Sequence, residues 1–97
     1  SGSMNPGALM TRSYMENEFE TIIAPETLKM AVESIELPTR WSMDIESVVS
    51  ILKGVVTTTP RRGTDFIEIN VRHGKPDDAK AIADAVAKAY MDRRKGA

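Results

Sequence analysis

The sequence predicts a small α+β domain, a short antiparallel sheet packed against helices and ending in a long C-terminal helix. Three observations carry that prediction. First, residues 65–73 alternate: Ile67, Ile69, Val71 and His73 fall on one side, Phe66, Glu68, Asn70 and Arg72 on the other. A strand repeats every two residues, so this is a half-buried strand with Ile67, Ile69 and Val71 facing inward. Second, Ala79, Ile82, Ala83, Val86 and Tyr90 recur at intervals of three and four behind Pro76, which is a helical stripe. Third, the β-branched run Val55-Val56-Thr57-Thr58-Thr59 precedes the turn-rich Pro60-Arg61-Arg62-Gly63-Thr64. That order predicts a hairpin with a five-residue loop between two antiparallel strands.

Taken in order, residues 1–7 read as a tag remnant and flexible lead-in, because Ser1-Gly2-Ser3 resembles a cleavage scar and Asn5-Pro6-Gly7 is a turn signal. Residues 8–97 read as one domain, excised from a larger protein. Leu9 to Ile23 carries a weak helical pattern, with Tyr14, Met15, Phe19, Ile22 and Ile23 on one broad face and Glu16, Glu18 and Glu20 outside. A second helix starts at Pro25, with Leu28, Ala31, Val32 and Ile35 buried, and ends at Leu37-Pro38. Ala24 is a poor cap, costing about 1 kcal/mol against serine, so the junction is either a fresh start or a kink in one helix. Ser42 or Asp44 caps a third helix, whose Ile45, Val48, Val49 and Leu52 recur at helical spacing and which Gly54 ends. In the last helix Asp77 and Asp78 suit the positive end of the dipole, and Arg93, Arg94 and Lys95 the negative end. Gly96 can stop it. Two strands alone make a marginal sheet, so the reading expects a truncated sheet lacking another strand.

Composition narrows the function classes. The chain has 97 residues, a net charge of −1 and no cysteine. Balanced charge gives no support to a nucleic-acid binder held by overall positive charge. Without cysteine there are no disulfides, thiolate metal sites or cysteine nucleophiles. No apolar run reaches the roughly 18 residues of a membrane-crossing helix.

Individual residues yield little chemistry. His73 is the single histidine and has no nucleophile partner in the pattern. Asp77 and Asp78 could be a metal pair, but helix N-termini collect acids for the dipole alone and no calcium-loop spacing is present. Arg61-Arg62-Gly63 is the most basic cluster outside the C-terminus and could meet phosphate, RNA or an acidic glycan, or be a solvated turn. Trp41, the only tryptophan, is either a plug at the core's edge or an exposed docking residue. Tyr90 lies on the apolar stripe of the last helix and reads as core. No phosphate-loop, dinucleotide, serine-hydrolase or zinc-protease motif occurs, so the chain reads as non-enzymatic, with no cofactor and no metal.

The assembled residues resemble a family. Gly63-Thr64-Asp65-Phe66-Ile67-Glu68-Ile69, then Pro76, Ala79, Ile82-Ala83-Asp84-Ala85 and Ala89-Tyr90 are similar to the periplasmic domain of polysaccharide chain-length determinants, the Wzz-type polysaccharide co-polymerases. These include exopolysaccharide-transport proteins and the membrane modules attached to bacterial tyrosine autokinases. Phe19-Glu20-Thr21, Pro25-Glu26-Thr27-Leu28, Ile35-Glu36-Leu37 and Trp41 resemble the family's looser upstream region. Within that pattern Gly63, Asp65, Ile67, Ile69, Pro76, Ala79, Ile82 and Tyr90 are the fold-motif positions. The chain departs from the pattern at Lys75, Asp84 and Ala24, where the family usually has Asp, Asn and Ser. None of the three removes a catalytic group.

The resemblance implies a domain on the periplasmic side of the bacterial inner membrane, with flanking spans absent here. It implies ring-like self-association and partnership with a polysaccharide polymerase or export machinery, and with nascent polysaccharide. The implied task is setting the chain length of O-antigen lipopolysaccharide, capsule or exopolysaccharide without catalysis in this domain. Arg61, Arg62 and Thr64 are the expected subunit or glycan contacts. The rival reading is a small cytosolic α+β nucleic-acid-binding module using the Arg61-Arg62-Gly63 turn. It needs a basic face and stacking aromatics, and only Phe66 sits on the polar strand face.

Overall fold

The computed structural model describes residues 3–5, 9–11, 19–64 and 66–96. It is an α+β structure with an antiparallel sheet and a long C-terminal helix. The strands are β1 (Ser3–Asn5), β2 (Leu9–Thr11), β3 (Val56–Pro60) and β4 (Phe66–His73). The helices are α1 (Phe19–Ile22), α2 (Pro25–Ser34), α3 (Leu37–Trp41), α4 (Ile45–Val55) and α5 (Pro76–Gly96).

β4 is the hub of the sheet. The expected hairpin with β3 forms, in a register that sets Val56 opposite Val71, Thr58 opposite Ile69 and Pro60 opposite Ile67. Opposed residues share a face, so these three pairs point inward and Thr57–Asn70 and Thr59–Glu68 point outward. Ile69 and Val71 are buried as the alternation predicts, while Ile67 is half-buried. Asn70, on the outward face, is also buried, and its Nδ2 donates to Thr59 Oγ1 at 2.9 Å. That bond satisfies an amide that would otherwise be costly to desolvate.

The other edge of β4 holds a feature the sequence reading did not anticipate. Both β1 and β2 pair antiparallel with β4, β1 against residues 71–73 and β2 against 66–68. The two registers differ by one residue. Ser3 to Asn5, read as part of a flexible lead-in, is therefore a strand. Leu9 to Thr11, read as the start of a helix, is a strand as well; the helical part of that segment is α1. Three-residue strands carry no readable period, and the pull of an open β4 edge outweighs local propensity. The chain thus fills the third position that the two-strand hairpin lacked. The remainder of the expected first helix, residues 12–18, and Asp65 lie outside the described residues.

Helices cover the inward face. α5 packs along β4, α2 packs on α5, and α4 packs on both α2 and β4. The fully buried side chains include Tyr90, Ile22, Leu28, Leu52, Ile69 and Ile82. Ala79, Ala83 and Val86 complete the buried stripe of α5, and the small alanines let it lie close to its neighbours.

Local sequence explains the helix boundaries. Ala24 is extended (φ −61°, ψ 145°), because a residue before proline is pushed out of the α region. The junction is therefore a fresh start at Pro25, with no side-chain cap. Thr27 in the first turn is fully buried, and its Oγ1 donates to the Thr21 carbonyl at 2.7 Å. The same oxygen accepts from Arg93 Nη1 at 2.7 Å, which ties the far end of α5 to the α1–α2 junction. Pro38 does not simply close a helix as expected; it lies in the first turn of α3, where a proline fits. Gly54 does not end α4 either. It has no left-handed backbone, and the helix runs on to Val55 before Val56 turns extended.

Candidate functional site

The hairpin tip is built by its own hydrogen bonds. The Thr64 N–H donates to the Arg61 carbonyl at 3.2 Å, closing a four-residue turn whose third position is Gly63 at φ +73°. A positive φ at that position is what glycine supplies without steric cost. The Thr64 hydroxyl donates to the Arg61 carbonyl at 2.8 Å and accepts the Phe66 N–H at 3.1 Å. Arg61 N–H in turn donates to the Phe66 carbonyl at 3.0 Å. Thr64 therefore locks the turn, and the side chains it displays are Arg61 and Arg62, both exposed. Neither makes an ion pair among the described residues.

The fold-motif residues are brought together. Ile69, Ala79, Ile82 and Tyr90 meet in one core. Ile67 packs at its margin, Gly63 makes the left-handed turn, and Pro76 opens α5. Asp77 and Asp78 occupy the first turn of α5, as the dipole argument expects. Asp78 Oδ1 also accepts from Arg40 Nη2 at 2.9 Å, joining α3 to the start of α5.

A concavity, which the sequence reading did not assemble, lies at the opposite end of β4 from the hairpin tip. It is an open groove of about 440 Å³ lined by Trp41, Met43, Ile51, His73, Lys75 and Asp78. Four elements converge on it: the end of α3, the outer side of α4, the end of β4 and the start of α5. Trp41 and His73 stack with ring centroids 5.5 Å apart and planes within 13°. His73 Nδ1 accepts the Lys75 N–H at 3.0 Å, which in the neutral ring leaves the proton on Nε2. Trp41 is thus a half-buried residue at the core's edge, as one of its two readings held, and it also lines a groove.

The turn after α3 aims the groove's wall. Ser42 is left-handed (φ 54°, ψ 47°), the Ser42 N–H donates to the Thr39 carbonyl at 3.3 Å, and the Met43 N–H to the Pro38 carbonyl at 3.0 Å. This is a Schellman-type helix end with serine where glycine is usual. It leaves Met43 exposed in the same groove as Ile51, at 42% and 38% respectively. Sequence spacing could not have paired these residues, since Trp41 and His73 are 32 positions apart. The only prior signal was a lone tryptophan and a lone histidine, each at the end of an element.

No described helix is long and apolar enough to cross a membrane. No protein-family model, curated protein or solved structure matches this chain.

Proposed function

We propose that this domain is a non-catalytic regulator of polysaccharide chain length and export, acting as part of a self-associating, membrane-anchored protein on the periplasmic side of the bacterial inner membrane. The observation that carries the reading is the string from Gly63 to Tyr90 and its resemblance to the Wzz-type co-polymerases. Its matched positions are the ones around which this fold closes: the left-handed Gly63, the inward strand residues Ile67 and Ile69, the helix start at Pro76, and the buried Ala79, Ile82 and Tyr90. The displayed Arg61 and Arg62 are available for a neighbouring subunit or an acidic glycan. A tyrosine autokinase domain elsewhere in the same protein is compatible with this role.

The test is genetic. Surface polysaccharide is resolved by gel in a strain lacking the gene and again after the gene is restored. Loss of a modal length band or of export, recovered on restoration, is the expected result. An unchanged profile in a strain without a redundant homologue refutes the reading.

A further inference from the structure

We propose that the edge of β4 held by the N-terminal arm is a docking site for an uninterrupted extended peptide from another protein, with β1 and β2 as a displaceable placeholder. The observation is a break in the ladder. β1 pairs with residues 71–73 and β2 with 66–68, in registers that differ by one residue. Three residues separate Asn5 from Leu9, whereas two, Ile69 and Asn70, separate their partners Val71 and Glu68. One extra residue in one strand is a bulge, and it disrupts the ladder locally.

The break falls at the centre of the sheet. In an antiparallel pair, residues whose N–H and C=O point at the partner alternate with residues whose groups point away. On the β3 side the Arg61 N–H donates to the Phe66 carbonyl, so Phe66, Glu68 and Asn70 turn their backbone groups toward β3. Pro60, which has no N–H to give, stands opposite Ile67 and fits that alternation. Ile67, Ile69, Val71 and His73 therefore turn their backbone groups toward the arm. Among the described residues, Ile69 is the one member of that set with nothing in register opposite it, and it is fully buried. The arm supplies Met10 opposite Ile67, and it sets the polar Asn5 opposite the buried Val71.

A strand that follows all eight residues of β4 in one register restores the pair at Ile69 and offers an apolar residue opposite each of Ile67, Ile69 and Val71. Main-chain bonds then supply affinity and alternate side chains supply specificity. On the outward face, Arg72 favours an acidic residue opposite it and Glu68 a basic one. A peptide reading Thr-Glu-Val-Thr-Ile-Lys-Val-Thr, from the position opposite His73 to the one opposite Phe66, meets all of these preferences. A second copy of the chain does not, because its arm carries the same extra residue. The edge has this property whatever task the whole protein performs.

The experiment titrates the isotope-labelled full chain with that peptide, and with a control in which proline replaces its isoleucine. The tethered arm competes at an effective concentration of about millimolar order, so the peptide is taken well above that. The expected result is saturable movement of the Ile69 and Val71 amide resonances, together with a shift of the Asn5 and Leu9 amides to unpaired-chain values. The proline control should produce neither. Deleting Gly7 leaves two residues against two, with Ala8 opposite Ile69 and Pro6 opposite Asn70, where no N–H is needed. That variant should hold its arm more tightly and weaken peptide binding about fivefold or more. Asn5→Pro removes an arm N–H opposite Val71 and should strengthen peptide binding by about the same factor.

Absence of saturable movement at Ile69 overturns the proposal. So does an equal response to the proline control, or a peptide affinity unchanged by both arm variants. Movement confined to the β3 amides puts the peptide on the sheet's other edge and also overturns it. The same β4 movement produced by raising the protein's own concentration, without peptide, makes a second copy the occupant and refutes the foreign one.

Discussion

Replacing Thr27 by valine tests how much the Arg93–Thr27–Thr21 bridge contributes. The side chain is fully buried and valine matches it in shape, with a similar helix propensity. The substitution removes two hydrogen bonds, both 2.7 Å long. The hydroxyl–carbonyl bond is worth about 1 kcal/mol, and a bond to a charged donor about 1.5–3 kcal/mol. The second figure falls toward its lower end because Arg93 is only half-buried and regains water. Against this, a buried methyl group in place of the hydroxyl returns about 0.8 kcal/mol. The net loss is about 2 kcal/mol. With a urea slope of about 2 kcal/mol per molar, the denaturation midpoint drops by roughly 1 M. Arg93→Met breaks the same bond from the other side, so the double mutant should be less destabilised than the sum by about 1 kcal/mol or more. A Thr27→Val midpoint within 0.2 M of the parent, or strict additivity, would refute the bridge.

Further outcomes follow from the backbone and the core. Gly63→Ala should cost about 1 kcal/mol by thermal or chemical denaturation. A Cβ there meets nothing within 4 Å, so the loss comes from the +73° φ alone, and a neutral result would contradict it. Ser42→Gly should raise stability by about 0.5–1 kcal/mol, since Ser42 holds a left-handed φ of 54°; a lowered melting temperature would count against that reading. Ile69→Asp places a charge at a fully buried position of the central strand and should prevent soluble folding; a cooperative unfolding transition in that variant would overturn the strand register. Arg40→Ala should cost less than about 1 kcal/mol, because the Arg40 side chain is 48% exposed in its pair with Asp78.

Strong periodicity was legible and weak periodicity was not. The alternation of β4, the stripe of α5 and the hairpin turn each repeat over enough residues to be read. Their register follows from the positions of Ile69 and Tyr90. The two N-terminal strands are three residues long and exist because β4 offers an edge, a cause that lies some 60 residues downstream in the chain. The helix at Leu37–Trp41 was hidden by Pro38, which marks a stop and a start with the same residue. At the candidate sites the contrast is similar. Arg61 and Arg62 are adjacent in sequence and stay adjacent in space. Trp41, Met43, Ile51, His73 and Lys75 meet only once four elements have packed.

The split edge of β4 also sets an order of events. The β3 ladder joins residues at most 15 apart, Val56 with Val71, whereas the β1 ladder joins Ser3 with His73. Closing a short loop is entropically cheaper and faster than closing a long one. The β1 and β2 ladders therefore close after the β3–β4 hairpin. Until then β4 presents an unpaired edge to any extended chain nearby, so the interval before β1 and β2 dock is when this domain is open to strand exchange with a second copy.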